Sequence, residues 1–454
     1  MASHSAHTQN EGQGEGQGEG RIEGQGEGQG GDEVREGVGE GVGGRVRERV
    51  GDEVRERVRA VARPLDAAAV LRLFPGPPPR VLALGEPTHG EDLLLAVRND
   101  LFRQLIERAG YRTVAIESDC LAGLVVDDHI TRGTGTLDDV MAGGFSHGLG
   151  ASAANRALVA WLREFNEGRP AADRVRFAGI DAPTEITGAP SPRRSLMALH
   201  SFLAAGVGPD LLPCTADTLD RLLGDDDRWP EPAAMRDPSR SVGGTPEAGR
   251  LRLLADDLVA LLEEQAPGLT ATTGREEWDR VRLHGRTATG LLAYHRWMAD
   301  PSPARISRLL STRDRMMAGH LLALAERGPV LAFAHNAHLQ RHRSEVRMDG
   351  VPCPWWGAGA LAATRLGAAY GFVAMAVGTI RHHGADTPAP DTLEGLLYGL
   401  PDDRCLLDAP RLADALAAAP PAPRTSPYHG YAPYDPDRLT GTDGLVYVRD
   451  LPEG

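Results

Sequence analysis

Residues 81–100 read VLALGEPTHGEDLLLAVRND, and their first half decides the architecture. VLALG is a short, unbroken apolar run, which suits a strand covered on both faces. The residues after it regain apolar positions at helical spacing, which predicts a helix from about Glu91 to Ala109. The join between strand and helix holds Glu86, His89 and Glu91. A helix cap, a metal site or an acid–base centre would each use such residues. Thr88 as N-cap with Glu91 three residues later makes a capping box, which leaves Glu86 and His89 without a reason.

The same alternation recurs along the chain. YRTVAIESD (111–119) is a second strand, followed by a helix through Ile130. RGTGTLDDVMAGGFSHGLG (132–150) reads as a glycine-rich loop with one turn of helix, and a helix over 152–167 leads to the strand RVRFAGID (174–181). This βαβαβ order implies parallel strands joined by crossover helices. Residues 192–328 are helical in pattern, broken by a Pro- and Gly-rich loop at 225–247. GPVLAFAHNAHL (328–339) returns to a strand ending at His335, YGFVAMAVGTI (370–380) is another, and RCLLD and GLVYVRD are weaker ones. The predicted fold is α/β, with a central, mostly parallel sheet, crossover helices and a large helical insertion.

Composition sets the limits. The first 43 or so residues are dominated by Gly, Glu and Gln in near-repeats, with too little to bury to offset their ordering entropy, so disorder is expected. From Val34 to Val58 a valine recurs at every fourth position, a stripe that drifts around a helix instead of holding one face. We therefore divide the chain into a tail, 1–61, disordered to partly helical from about Arg45, and a compact domain, 62–454. All 49 basic residues are arginine, so Schiff-base, pyridoxal-phosphate and P-loop lysines are excluded. A formal charge of −14 without a basic stripe argues against nucleic acid as a partner. No apolar run is long enough for a transmembrane helix, and the basic-then-apolar order of a secretion signal is missing. Four scattered cysteines, Cys120, Cys214, Cys353 and Cys405, suit reduced thiols in a cytoplasm.

Ligands of such sheets bind outside the carboxyl ends of the strands. Glu86 with His89, Glu117 with Asp119, Asp181, and His335 with His338 all fall there. His335 and His338, three apart, would share a helix face and could hold a metal, but HxxH is a weak signal and no HExxH or cysteine ligand supports it. GFSHG (144–148) fits the G-x-S-x-G pattern, yet Ser146 follows no strand, as a nucleophile elbow requires. The remaining reading is a histidine base that activates water, oriented by carboxylates. An ordinary imidazole would give a rate rising through an apparent pKa near 6–7. Arg98, nine residues beyond His89, reads from position alone as a surface charge.

Together these pieces resemble the erythromycin esterase family. LGEPTHG, Arg98 further along the helix, VAIESD, FAGID, RDRMMAGHL and AHNAHL stand in family order and close to family spacing over residues 65–450. The resemblance implies that Glu86 and His89 are the catalytic acid and general base, with Arg98, Glu117 and His335 completing the catalytic pocket. His338, Asp181 and Asp119 are placed as substrate-binding groups. It also implies hydrolysis of an ester or lactone, in a macrolide or related polyketide-like small molecule, by activated water. No metal, no cofactor and no covalent serine are expected. Pro87, the 132–150 and 225–247 loops, and YHGYAPYDPDRL near the end depart from the family pattern. The same base could instead drive cyclisation or elimination in natural-product biosynthesis, or the fold could serve as a non-catalytic binding protein.

Overall fold

A computed structural model describes residues 52–184 and 188–452. The expectations for residues 1–51, including disorder and the start of the valine stripe, lie outside the described residues. Residues 52–61 are helical, and Val54 and Val58 are buried.

Ten strands are described: β1 (Ala62–Arg63), β2 (Val81–Glu86), β3 (Thr113–Asp119), β4 (Arg176–Asp181), β5 (Val330–His335), β6 (Arg343–Met348), β7 (Val351–Trp356), β8 (Tyr370–Thr379), β9 (Arg404–Asp408) and β10 (Gly444–Asp450). Eight of them form one sheet in the order β1-β9-β10-β8-β2-β5-β3-β4. The six from β10 to β4 are parallel, and β9 runs antiparallel at one side, so the α/β fold with a mostly parallel sheet is as the sequence predicts. Strand β5 arrives last in this half and inserts between β2 and β3, bringing His335 opposite Glu86 in register.

Strand alternation sends side chains to two cores. Leu82, Leu84, Val114, Ile116, Leu331 and Phe333 pack on one face with helices α1 (Asp92–Ala109), α2 (Gly123–Arg132) and α3 (Ala153–Asn166). Val81, Ala83, Ala115, Ala332 and Ala334 pack on the other, where small residues let α4 (Arg305–Ala325) lie close through Met317, Leu321 and Ala325. The helical insertion, with Arg193–Gly206, Pro246–Glu264 and Arg275–Met298, has its own leucine-rich core.

Two local expectations are corrected and one element is added. Helix α1 begins at Asp92 with Glu91 as N-cap, whose side chain makes no capping bond, and the Thr88 hydroxyl is buried without a partner, so the capping box is absent. The 132–150 loop contains a full short helix, Leu137–Gly143, capped by Thr136. An unpredicted hairpin, β6–β7, turns at Asp349 and Gly350, both with positive φ, as a two-residue primed turn requires.

At the carboxyl edge the sheet is wedged open. Pairing of β2 with β8 stops at Leu84 and Val373. Beyond it the Asn336 side chain takes over the β8 backbone, donating to the Met375 carbonyl at 2.9 Å and accepting from its N–H at 3.3 Å. A Cβ on Gly85 would stand 2.2 Å from Asn336 Oδ1, so this neighbour of Glu86 must be glycine. Gly85→Ala is therefore expected to cost about 1–3 kcal/mol through overpacking, read from the denaturant midpoint. An unchanged midpoint would contradict the wedge.

Candidate active site

Strand ends position the charged groups. In β3 the pairing with β4 slips between Ile116 and Asp119, a bulge that breaks the alternation at Glu117 and Ser118. Bulges commonly re-aim a side chain beside a site, and Glu117 here faces a group of cations. Its Oε1 accepts from Arg313 Nη2 at 2.8 Å and lies 3.3 Å from His338 Nε2, while Oε2 accepts from the His335 N–H at 2.8 Å. Burial would raise this carboxyl, but His338, His89 and Arg313 outweigh it and hold Glu117 far below the usual carboxylate range.

Arg313, from the middle of α4, also grips Asp181 at the end of β4, through Nε at 2.9 Å and Nη2 at 2.6 Å. Asp181 is fully buried, accepts from its neighbour Ala182 N–H at 2.8 Å and meets His147 Nε2 at 3.0 Å. Desolvation opposes its charge, and the Arg313 guanidinium overrides that and lowers its pKa. His338 lies between two carboxylates, with Nδ1 2.9 Å from Asp314 Oδ1 and Nε2 facing Glu117. Asp314 is itself fixed by Trp355 Nε1 at 2.9 Å and the Ala358 N–H at 2.7 Å. Burial disfavours the His338 cation, but Asp314 and Glu117 raise its pKa, against the opposing charge of Arg313, whose Nη1 lies 3.3 Å from Nε2.

His89 is the open member. Its Nδ1 pairs with Glu86 Oε1 at 2.7 Å, whereas Nε2 has no hydrogen-bond partner among the described residues and stands 3.9 Å from Glu117. The side chain is 54% exposed, so the free nitrogen is reachable. Partial burial opposes its charge, but the Glu86 hydrogen bond and the charge of Glu117 push its pKa up to about 9. This value lies above the 6–7 expected of an ordinary imidazole. Glu86 is 3% exposed, and burial raises its own pKa against the pull of His89.

The other predicted residues divide. Arg98 is not a surface charge: it is fully buried under Phe333, with Nη2 donating to Asn99 and Asn155, both at 2.8 Å. Burial lowers its pKa to about 10, against the attraction of Glu86 and Asp92, so it remains a cation at neutral pH. His335 has both nitrogens in use, Nε2 on the Pro87 carbonyl at 3.2 Å and Nδ1 accepting from the Ala337 N–H at 3.2 Å. Desolvation and the nearby His89 charge drive its pKa down to about 3, so it is a neutral strut 5.3 Å from the His89 ring. Its partners differ from those of His338. Asp119 is not brought to the pocket, because its carboxylate accepts from the Leu121 and Ala122 N–H groups in the turn after β3. Ser146 Oγ is held by the Asp119 N–H at 2.8 Å and by Ser118, with no histidine bonded to it among the described residues.

The site opens into a cavity of about 870 Å³ lined by His89, Glu117, His147 and Arg313 and by apolar side chains such as Leu93, Leu149, Leu309 and Met235. Met235 comes from the 225–247 loop. Arg313, Asp314 and His147 were missed as site residues. RDRMMAGHL carries the first two, but in mid-helix nothing local marks a charge as inward-facing. His147 lies beside Ser146 with φ +54, an uncommon conformation for a non-glycine residue. Arg313→Gln is expected to cost about 3–5 kcal/mol, because Glu117 and Asp181 stay buried without their shared cation. Denaturant unfolding checks this, and a loss under 1 kcal/mol would contradict the shared-cation role.

A sequence model of the erythromycin esterase family matches residues 106–450. Erythromycin esterase type II of Escherichia coli is 34% identical over 104 residues, a stretch covering 23% of this chain and 24% of that protein, so only about a quarter of its length is spanned. Among solved structures, a Bacillus cereus protein superposes with a TM-score of 0.64 at 17% identity, covering 88% of this chain and 97% of its own. A succinoglycan biosynthesis protein gives 0.60 at 16% identity, with coverage of 88% and 97%. A mutant of the erythromycin esterase EreC in its open conformation gives 0.58 at 17% identity, with coverage of 84% and 92%. At these identities the structural likenesses establish the fold. With the family match over most of its length, the chain belongs to the erythromycin esterase family.

Proposed function

We propose that this protein is a hydrolase that cleaves an ester or lactone in a hydrophobic, polyketide-like small molecule, with His89 as general base and no step routed through a metal. The observation that carries this is the free, cavity-facing Nε2 of an imidazole whose Nδ1 is held by a buried glutamate. Family membership supports the reaction class. In the proposed step Nε2 takes a proton from water while the water oxygen adds to the acyl carbon. Glu86 holds the ring and stabilises the imidazolium that forms. The tetrahedral oxyanion then collapses, the acyl C–O bond breaks, and His89 returns the proton to the leaving alkoxide. Arg313 supplies positive potential on the Glu117 side of the cavity. The apolar lining suits a substrate with a large hydrocarbon body.

Several features support the finer parts of this reading. All four cysteines are free, as a reducing cytoplasm favours. Among the described residues no helix is long and apolar enough to cross a membrane. Ser146 serves the turn after β3 and is no nucleophile in this scheme.

The experiments follow from the geometry. His89→Asn should lower turnover about 10²–10⁴-fold, while Ser146→Ala should change it by no more than a few-fold. Labelling of Ser146 by a fluorophosphonate with loss of activity would overturn the scheme. The base form of His89 grows as pH rises through its pKa, so kcat/KM should climb with pH and level off above about 9. Glu86→Gln removes the charge that raises His89, so the ascending limb should move to lower pH while the plateau falls. Product mass separates hydrolysis, which adds water, from cyclisation within the same site, which adds nothing.

A further inference from the structure

The geometry points to a divalent-cation site on the wall of the same cavity, formed by Glu91, His382 and His383. Nothing in the hydrolytic scheme uses these residues. Glu91 occupies the N-cap of α1, yet its carboxylate makes no capping hydrogen bond and meets His382 instead. Its Oε1 lies 3.0 Å from His382 Nε2 and 3.7 Å from His383 Nε2, and the three ligand atoms fall within 4.8 Å of one another. Ligands each about 2.1 Å from a tetrahedral ion stand about 3.4 Å apart, so the spacing is close to what an ion would impose. Among the described residues Glu91 has only these two imidazoles as ion-pair partners and no arginine. The other cluster of acids, Asp127, Asp128 and Glu276, is already taken by Arg176, Arg280 and Arg132.

The support for the ligands is firm. His382 and His383 lie on the tight turn Arg381–His383, closed by two backbone hydrogen bonds between Ile380 and Ala385. The His383 ring stacks on Tyr428, with centroids 4.2 Å apart and planes at 17°. Glu91 is buried, whereas His383 is 42% exposed, and all three residues line the cavity. Two imidazoles and one carboxylate make the donor set of a zinc-class ion with an open position. That position is available to an oxygen of whatever fills the cavity.

The test is direct binding, which is independent of the hydrolase reading. Protein stripped with a chelator is titrated with Zn²⁺ by calorimetry, and with Co²⁺ while its visible absorption is followed. One equivalent should bind, and Co²⁺ should show the intense bands of a low-coordinate N/O site. Glu91→Gln and His383→Asn should each weaken binding by more than the roughly 10–100-fold typical of an outer-shell change. The half-exposed His383 provides a substitution that leaves the core untouched, and its variant is checked for an unchanged melting temperature without metal. His89→Asn should bind the ion like the parent, which separates this site from the hydrolytic one. Absence of stoichiometric binding, or binding equally strong in Glu91→Gln and His383→Asn, would overturn the proposal.

Discussion

The Arg313 guanidinium bonds the Glu117 carboxylate at the end of one strand and the Asp181 carboxylate at the end of the next, and the rest of the site is arranged around that contact. Two acids buried this deeply would be forced to take up protons if left alone. With the arginine between them both stay charged, and Glu117 is free to accept the His335 N–H and to face His338. Asp314 completes the alternation behind His338. Four acidic side chains (Glu86, Glu117, Asp181 and Asp314) are thus interleaved with four basic ones (Arg98, Arg313, His338 and His89). A buried network of this kind contributes less to stability than to fixing one geometry, because removing a single member leaves its partner's charge uncompensated.

Only His89 in this network reaches solvent with an unpaired nitrogen. Its partner Glu86 is supported from below by Arg98, which spends its hydrogen bonds on Asn99 and Asn155 and acts on Glu86 through charge. Raising the imidazole pKa makes it a stronger base once deprotonated, and makes the protonated form the resting one at neutral pH. His335 does the opposite: with both nitrogens satisfied it stays neutral and holds Pro87, just before His89, in place. The two histidines therefore differ in role because of their partners, not their spacing.

Strands were legible because buried parallel strands are unbroken apolar runs, and RVLALGE, VAIESD and VLAFAH announce themselves that way. The position of β5 between β2 and β3 was not, since strand order depends on contacts far apart in sequence. The β6–β7 hairpin carried a readable signal in Asp349–Gly350, but its flanking residues do not alternate clearly. Within the site, residues at strand ends could be found by the rule for α/β sheets, which reached Glu86, Glu117, Asp181 and His335. Arg313 and Asp314 could not, because a charge in mid-helix reads as solvated until the helix is seen lying across strand ends. Arg98 was misjudged for the same reason, and only the family likeness marked it. Glu91 fitted a capping box so well that its turn toward His382 was hidden.

The surrounding carboxylates, above all Glu86, favour a proton on His89. NMR of the His89 imidazole during a pH titration of the unliganded protein measures this without reference to any substrate. A midpoint near 9 is expected, with a clear fall in Glu86→Gln. A midpoint at the ordinary value of about 6.5 in both proteins would contradict it.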